Sequence, residues 1–412
     1  MVKVEKFDVV VIGGGPSGMA SAIEAYKKGS SVALIERENQ LGGILKQCIH
    51  SGFGLHYFGE EMTGPEYAHK FIEELNKTGV KVYLSSFVVS VKTNEVVIKN
   101  ADGIKTIRCG AIVLSVGCRE RTAGAICMNG ERPSGVWTAG QVQKWVNMYG
   151  KLPCKNPIIL GSGDIGLIMA RRLTLEGAKP QMVLELMSTT SGLKRNISQC
   201  LLDYDIPLYL NTTVVEVLGY PKITGVVIAN VDKNLQVIEE TKRTVSCDGL
   251  VLSVGLIPET TLLSDAKINA KTGSFLVNEY YETSKKGIFA CGNGLHVHDL
   301  VDFVTEESKR TGVYASECAS GLLKYGVEHN ISAGAGVRYT MPNSFFEGAG
   351  EVEVLFRVTG KYTKTNLLVV DGEENIVAKK FVMCANAGEM QSIKFSKENL
   401  KSDIKIVVEG AK

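Results

Sequence analysis

The chain has 412 residues, enough for two to four domains at about 100 to 200 residues each. With 44% hydrophobic and 22% charged residues, its composition is that of a soluble globular protein and excludes a mainly disordered or fibrous one. Its 46 basic and 44 acidic residues leave a formal net charge of only +2. Nothing in this balance would draw the surface to nucleic acid, so we expect no nucleic-acid partner.

The first strand, turn and helix are predicted at the start of the chain. An apolar, β-branched run over 7–12 leads into the glycine-rich segment GGGPSG at 13–18, and a helical stretch follows over 19–28. A second apolar strand over 32–35 ends on Glu36. Two strands joined by a helix predict a βαβ unit with a right-handed crossover in a parallel sheet.

The same pattern recurs further along the chain. An apolar run at 157–160 leads into GSGDIG at 161–166, then a helix over 167–176 and a strand over 182–186 that contains Glu185. A second repeat pairs the segment 111–117 with 249–255, each a buried strand that ends at a glycine. These repeats predict two similar domains.

Each glycine turn has the features of a dinucleotide site. Glycine lets the backbone approach a pyrophosphate, whose charge the helix N-terminus favours, and an acid about 20 residues later accepts hydrogen bonds from a ribose. Glu36 and Glu185 stand at that position. At the second turn a carboxylate favours NADH over NADPH, although Lys194 and Arg195 lie close enough in sequence to weaken this preference.

Toward the C-terminus the pattern changes to antiparallel β. From about residue 331 the segment 351–358 alternates with period two, and a strand over 367–370 meets another over 376–382 across a turn at 371–372. We expect a small sandwich-like domain here, joined to the rest by a linker of small residues at 332–336.

The ten cysteines and the N-terminus favour a reducing, cytoplasmic location. No C-x-x-C pair and no His/Cys cluster at zinc or iron–sulfur spacing occurs, so we predict no metal site. The N-terminus lacks the apolar region and cleavage site of a secretory signal. No run reaches the roughly 18 apolar residues that span a membrane, so no integral membrane segment is expected.

In their order, these motifs resemble the flavoproteins with two dinucleotide-binding domains, which include thioredoxin reductase, glutathione reductase and NADH-linked diaphorases. The matching segments are VVVIGGGPSG, the ER and LGG residues after the second strand, LSVG ending at Gly117, GSGDIG, LSVGLIPE and GIFACGN, all within residues 1 to about 328. The resemblance implies an α/β fold with two Rossmann-like domains, the second inserted in the first. The implied domains are 1–120 and 256–328 for FAD, 121–255 for NAD(P)H and 329–412 for the all-β domain.

By this likeness the cofactors are FAD and NAD(P)H, with NADH preferred. The residues implied for FAD are Gly13, Gly15, Pro16, Ser17, Gly18, Glu36, Arg37, Gly42, Gly43, Gly117, Gly292 and Asn293. Those implied for the nicotinamide nucleotide are Gly161, Gly163, Asp164, Ile165, Gly166 and Glu185.

Two departures from the family pattern bear on activity. Disulfide reductases of the family carry a redox pair of cysteines, but the segment 43–50 has only Cys48 and the segment 137–141 has none. A dithiol relay needs two sulfurs within bonding reach, so disulfide reduction is not expected. Asn293 stands where the family usually has an aspartate, and its amide can still hydrogen-bond.

The segments 132–143, 161–178 and 291–302 are similar to one branch of the family. That branch comprises flavin subunits of multicomponent amino-acid or opine dehydrogenases and cyanide synthases, and small flavoproteins paired with a glycerol-3-phosphate-dehydrogenase-like partner. The implied function is hydride exchange between NAD(P)H and FAD, with electrons passed to a partner flavoprotein subunit. A homo- or hetero-oligomer is implied.

The catalytic candidates lie near the two segments expected beside the flavin. His296, His298 and Asp299 precede a helix whose N-terminus would stabilise charge on the flavin, so they are candidates for tuning or proton delivery. The alternative is a capping Asp299 with two packed histidines. Cys48 and His50 follow the LGG segment, where Cys48 is either a reactive thiolate or a buried, inert cysteine.

Two other functions are compatible with these motifs. The chain could be a self-contained flavin dehydrogenase or oxidase whose small substrate binds beside His50, Tyr57 and His298. It could also be an FAD-bearing assembly subunit in which the second site is empty and the β domain acts by binding.

Overall fold

A computed structural model describes residues 4–411. The chain forms two compact units, one built from the segments up to 118 and from 258 onward and the other from 119–257. No helix within residues 4–411 is both long and apolar enough to cross a membrane.

The first segment builds most of a sheet that the last segment completes. Its helices and strands are β1 (Val4–Ile12), α1 (Pro16–Lys27), β2 (Val32–Ile35), β3 (Ser51–Phe53), β4 (Met62–Thr63), α2 (Gly64–Asn76), β5 (Lys81–Tyr83), β6 (Phe87–Lys92), β7 (Glu95–Asn100), β8 (Gly103–Leu114) and β9 (Cys118–Glu120). The sheet order is β5-β2-β1-β8-β7-β6. Strands β2 and β8 both pair with β1 in parallel, which confirms the predicted βαβ unit.

The inserted unit contains a second parallel sheet. Its helices and strands are β10 (Asn129–Gly130), β11 (Val136–Thr138), α3 (Ala139–Tyr149), β12 (Pro157–Leu160), α4 (Asp164–Leu175), β13 (Met182–Leu184), α5 (Lys194–Cys200), β14 (Leu208–Tyr209), β15 (Thr212–Leu218), β16 (Gly225–Asn230), β17 (Arg243–Ser246), β18 (Gly249–Leu252) and β19 (Leu256–Pro258). The five-stranded order β11-β18-β12-β13-β14 is parallel throughout. A four-stranded sheet, β10-β15-β16-β17, accompanies it.

The last segment returns to the first unit and ends in β-structure. Its helices and strands are β20 (Ile288–Ala290), α6 (Val301–Ala319), β21 (Glu328–Ala333), β22 (Val337–Met341), β23 (Ser344–Phe346), β24 (Glu351–Val358), β25 (Tyr362–Val370), β26 (Ile376–Ala385), β27 (Gln391–Ser396) and β28 (Ile404–Val408). Strand β20 pairs with β8 in parallel and so joins the first sheet. Helices α1 and α6 share a buried apolar layer with one face of that sheet.

Strands β21 to β28 form what we call the C-terminal β module. Its two sheets, β23-β21-β28-β25-β26 and β22-β24-β27, enclose a core that includes Phe345, Phe356 and Phe395. The predicted strand over 351–358 and the antiparallel pairing of β25 with β26 are confirmed. The predicted linker at 332–336 is wrong, because Ile331 is buried in this core and Ser332 pairs with Lys405.

Polar contacts fasten the β module to the rest of its unit. Lys397 Nζ lies 2.6 Å from Glu279 Oε1, and both side chains are almost entirely buried. Arg310 on α6 forms an ion pair of 2.7 Å with Glu353 on β24. The module therefore packs on the first unit as part of it.

Both helices that follow a glycine turn begin three residues earlier than predicted. Helix α1 starts at Pro16, whose fixed φ and missing N–H suit a first helical position. Helix α4 starts at Asp164, directly after Gly163. The end of each glycine motif is thus the first turn of the helix, which points the unpaired amides at the opening above the sheet.

Candidate functional site

The first glycine turn is too tight for side chains at two of its positions. Gly13 has φ 109°, and a Cβ on it would lie 2.3 Å from the carbonyl oxygen of Ser115. A Cβ on Gly18 would lie 1.7 Å from the carbonyl oxygen of Gly13. Glycine is therefore required where β1 passes into α1.

Glu36 closes the ribose side of this turn. It is buried at the end of β2, where its Oε2 accepts a hydrogen bond of 2.6 Å from the amide of Gly14. Its Oε1 accepts another of 2.8 Å from the amide of Glu38. Arg37 has a largely exposed side chain whose Nε lies 3.6 Å from Glu38 Oε1.

Bare backbone forms the opposite wall of the opening. Gly42 donates a hydrogen bond of 2.9 Å to the carbonyl of Gly14, and Gly42 and Gly43 both have positive φ. A Cβ on Gly43 would lie 3.0 Å from the Cα of Gly15. Two glycine backbones facing each other beside a helix N-terminus leave the close approach that a pyrophosphate needs.

The remaining residues predicted for this site meet at the start of α1. Ser17 Oγ is hydrogen-bonded to Ser308 Oγ at 2.7 Å and to Cys291 Sγ at 3.1 Å, so it joins α1 to α6. A Cβ on Gly292 would meet Ser17 Oγ at 2.6 Å, and one on Gly294 would meet the carbonyl oxygen of Gly117 at 3.1 Å. The loops from 117 and 292 therefore converge on the first turn.

The second turn repeats this geometry in the inserted unit. Gly161 has φ 100°, and a Cβ on it would lie 2.1 Å from the carbonyl oxygen of Ser253. Ser162 donates its amide to Glu185 Oε2 at 3.0 Å and its hydroxyl to the same oxygen. A Cβ on Gly166 would lie 2.7 Å from Ser253 Cβ. Both predicted acids thus accept a hydrogen bond from the second residue of their turn.

Asp164 holds a neighbouring segment against the second turn. Its Oδ1 accepts hydrogen bonds from the amide of Leu193 at 2.8 Å and from Asn196 Nδ2 at 2.7 Å. Ile165 packs against the core of the inserted unit. Lys194 and Arg195 open α5 with exposed side chains. The two cations predicted to weaken the NADH preference are therefore on a segment tied to the turn.

His296 and His298 lie together in the loop before α6. Their ring centroids are 4.3 Å apart, and both side chains are buried. His298 Nε2 lies 3.1 Å from Oε2 of the buried Glu307 on α6, a residue that the sequence analysis did not single out. Burial, together with the nearby His298 and Arg357, holds the pKa of His296 well below its usual range, so this ring is neutral near pH 7.

Asp299 does not cap the helix. Helix α6 begins at Val301 after Leu300, which makes no side-chain capping bond. Instead Asp299 Oδ1 lies 2.6 Å from Arg357 Nη2, and its Oδ2 accepts the amide of Met390 at 2.7 Å. The capping interpretation is wrong because a cation from the β module satisfies this carboxylate.

Asp302 and Asn293 hold the loops on either side of α6. The two carboxylate oxygens of Asp302 each accept a backbone N–H at 3.1 Å, one from Gly54 and one from His56. Asn293 Oδ1 accepts the amide of His298 at 3.2 Å, so this side chain orders the histidine loop.

Cys48 and His50 lie between the Gly42–Gly43 loop and α2. The half-buried Cys48 donates its thiol to the carbonyl of Ile44 at 3.4 Å, and its own carbonyl accepts the amide of Gly64 at 2.9 Å. His50 Nδ1 lies 3.0 Å from the carbonyl oxygen of Ser51, and its ring packs on Phe53.

Two parallel sheets, each with a glycine turn closed by a buried glutamate, define a protein with two dinucleotide-binding folds. The chain belongs to the pyridine nucleotide-disulphide oxidoreductase family, whose profile matches residues 7–308. Members of this family bind FAD and use NAD(P)H, and the chain is a flavin-dependent oxidoreductase of this kind.

Curated relatives and solved structures agree with this family. The HcnB component of hydrogen cyanide synthase from Pseudomonas aeruginosa is 25% identical over 284 residues, which cover 61% of this chain and 58% of the relative. One of the opine oxidase subunits of Agrobacterium tumefaciens is 22% identical over 376 residues, covering 85% and 72%. The crystal structure of T. acidophilum thioredoxin reductase has the same fold, with a TM-score of 0.63 and 22% identity over 76% of this chain and 98% of that one.

Proposed function

We propose that the chain is the NAD(P)H-linked flavoprotein component of a multicomponent dehydrogenase, which exchanges a hydride between NAD(P)H and FAD and delivers electrons to a partner flavoprotein subunit. The observation that carries this proposal is the repeated turn geometry, with Glu36 Oε2 2.6 Å from the Gly14 amide and Glu185 Oε2 3.0 Å from the Ser162 amide. Bound FAD and NAD(P)H supply the hydride chemistry.

The first glycine turn with Gly42, Gly43, Gly117 and Gly292 is the proposed FAD cradle. Its facing glycine backbones fit a pyrophosphate, and Glu36 fits an adenosine ribose. The turn at 161–166 is the proposed NAD(P)H site. NADH is the proposed nucleotide, since a carboxylate at Glu185 suits a 2′-hydroxyl better than a 2′-phosphate. The domain division at 1–120, 121–255, 256–328 and 329–412 belongs to this proposal.

The cysteines support an electron acceptor other than a disulfide. The structure describes all ten cysteines, and none forms a disulfide. Cys48 is the sole cysteine of the segment where one class of reductases in this family carries its redox pair. A second sulfur within bonding reach would be required for a dithiol relay.

A multisubunit assembly is supported by two relatives, one named as part of hydrogen cyanide synthase and the other as part of opine oxidase. The proposed docking surface for a partner flavoprotein is strand β26 of the β module. It ends the order of the five-stranded sheet, and three apolar side chains on it are exposed, Ile376 at 57%, Phe381 at 58% and Met383 at 64%. An apolar edge strand of this kind is a site for pairing with another chain.

Two measurements test this function on the purified yellow protein. Anaerobic mixing with NADH should bleach the flavin band near about 450 nm within milliseconds to seconds, and NADPH should act more slowly. Under steady turnover, the dye dichlorophenolindophenol should be reduced, whereas oxidised lipoamide and thioredoxin should not. The absence of bleaching by either nucleotide would contradict the proposal, and thiol release from a disulfide at the rate of dye reduction would contradict the partner acceptor.

A further inference from the structure

We propose that His296, His298 and Glu307 bind a divalent transition-metal ion of the Zn²⁺ class. One ligand atom from each residue lies within 4.8 Å of the other two. The three are shielded from water, with His296 at 2% and Glu307 at 0% exposure and the His298 side chain at 1%. This site goes beyond the proposed function, because it depends on neither NADH nor a partner protein.

Hydrogen bonds leave one nitrogen of each ring available as a ligand. His298 Nδ1 lies 2.9 Å from the backbone carbonyl oxygen of His296. A carbonyl only accepts, so Nδ1 carries the proton and the neutral ring presents a lone pair at Nε2. His296 Nδ1 is bonded to the Tyr339 hydroxyl at 3.3 Å, while its buried Nε2 has no hydrogen-bond partner. Histidines that bind metals are held through their second nitrogen in this way.

Glu307 presents one oxygen to the same point. Its Oε1 accepts the amide of Gly292 at 2.7 Å, which fixes the carboxylate, and its Oε2 is buried without a hydrogen-bond partner. Oε2 lies 3.1 Å from His298 Nε2, yet the two atoms lack hydrogen-bond geometry. Two acceptor atoms at this distance repel in a site without water, and a cation between them removes the repulsion.

The spacing suits a small metal ion. Ligands about 2.0 to 2.1 Å from a tetrahedral Zn²⁺ are about 3.3 Å from each other, close to the 3.1 Å between His298 Nε2 and Glu307 Oε2. Two imidazole nitrogens and one carboxylate oxygen favour Zn²⁺ or Fe²⁺ over Mg²⁺ and Ca²⁺, which prefer oxygen ligands. Three protein ligands leave a fourth position, as in catalytic zinc sites.

A second histidine–carboxylate pair in the same unit provides the comparison. His329 Nε2 lies 2.9 Å from Glu347 Oε1 with hydrogen-bond geometry. Among residues 4–411, the cluster at 296, 298 and 307 is the one group of three histidine, cysteine or acidic side chains close enough to share an ion. His329→Gln is therefore the matched control, since it removes a histidine from a pair without a third ligand.

The test is the metal content of the FAD-loaded full-length chain. The protein is purified without chelator, equilibrated with Zn²⁺, separated from unbound metal and analysed by mass spectrometry. We expect about one Zn²⁺ per chain in the wild type and in H329Q, and below about 0.1 in His296→Gln and Glu307→Gln. Glu307→Gln keeps an oxygen for the Gly292 amide, so its loss of metal is not a loss of that bond.

Two further measurements separate ligation from a structural role. X-ray absorption at the zinc edge should show two imidazoles and an oxygen at about 2.0 to 2.1 Å. Tyr339→Phe removes the partner of His296 Nδ1 and should raise the dissociation constant of Zn²⁺ about 10- to 100-fold with FAD content unchanged. Wild-type metal content equal to that of E307Q and H296Q, or a spectrum without imidazole scattering, would overturn the proposal. Should E307Q not fold, H296Q and Y339F give the same decision.

Discussion

The two glycine turns of this chain share an acid and differ in what closes them. At each turn a buried glutamate accepts the amide of the second turn residue, Gly14 in one and Ser162 in the other. The first turn is closed by the backbone of Gly42, whereas the second is closed by the side chain of Asp164. A backbone closure depends on the absence of side chains, and a carboxylate closure depends on one group. The two sites should therefore fail through different substitutions.

The largest effect is expected from Gly18→Ala in the first turn. A Cβ there lies 1.7 Å from the carbonyl oxygen of Gly13, so the backbone must move and FAD binding should fall below about a tenth of the wild-type content. Flavin absorbance of the purified protein and its thermal unfolding measure this change. Gly360→Ala is the control, because a Cβ there meets nothing within 4 Å. An FAD content like that of G360A would show that this tight turn does not hold the cofactor.

A smaller effect, confined to the second site, is expected from Glu185→Ala. The carboxylate that accepts from Ser162 and Met187 is lost, and with it the proposed partner of the ribose. A hydrogen bond to a charged group is worth about 1.5 to 3 kcal/mol, so the KM for NADH should rise about 10- to 100-fold. Initial rates with a dye acceptor measure it, and FAD content should be unchanged. An unaltered ratio of NADH to NADPH efficiency would contradict the assignment of Glu185.

The smallest effect is expected from Asp164→Ala, which opens the side-chain closure alone. Leu193 and Asn196 lose their shared acceptor, so the KM for NADH should rise about tenfold while flavin absorbance stays as in the wild type. Asp164→Asn keeps an oxygen at this position and should recover most of the loss. Equal behaviour of the alanine and asparagine variants would show that the closure does not depend on this oxygen.

Local patterns in the sequence predicted the parts of the molecule that local physics determines. Both turns, both acids and the strand at 351–358 could be found, because strand pairing and turn geometry follow from neighbouring residues. The role of Glu307 could not, since its carboxylate meets His298 only after α6 folds against the loop that precedes it. The pairing of Asp299 could not either, because its partner, Arg357, lies far along the chain. An H-x-H followed by a glutamate on the next helix was the one available signal.

The contacts between the β module and its unit limit how the chain can be shortened. Ending it near residue 328 would remove Lys397 and Arg357, the cations that pair with Glu279 and Asp299. A buried carboxylate stripped of its partner costs about 3 to 5 kcal/mol, a large share of the roughly 5 to 15 kcal/mol that holds an ordinary domain folded. Tyr339, which holds the ring of His296, would go with them. The boundary visible in the sequence is therefore a poor place to cut, and a fragment made there would report on its own broken ion pairs.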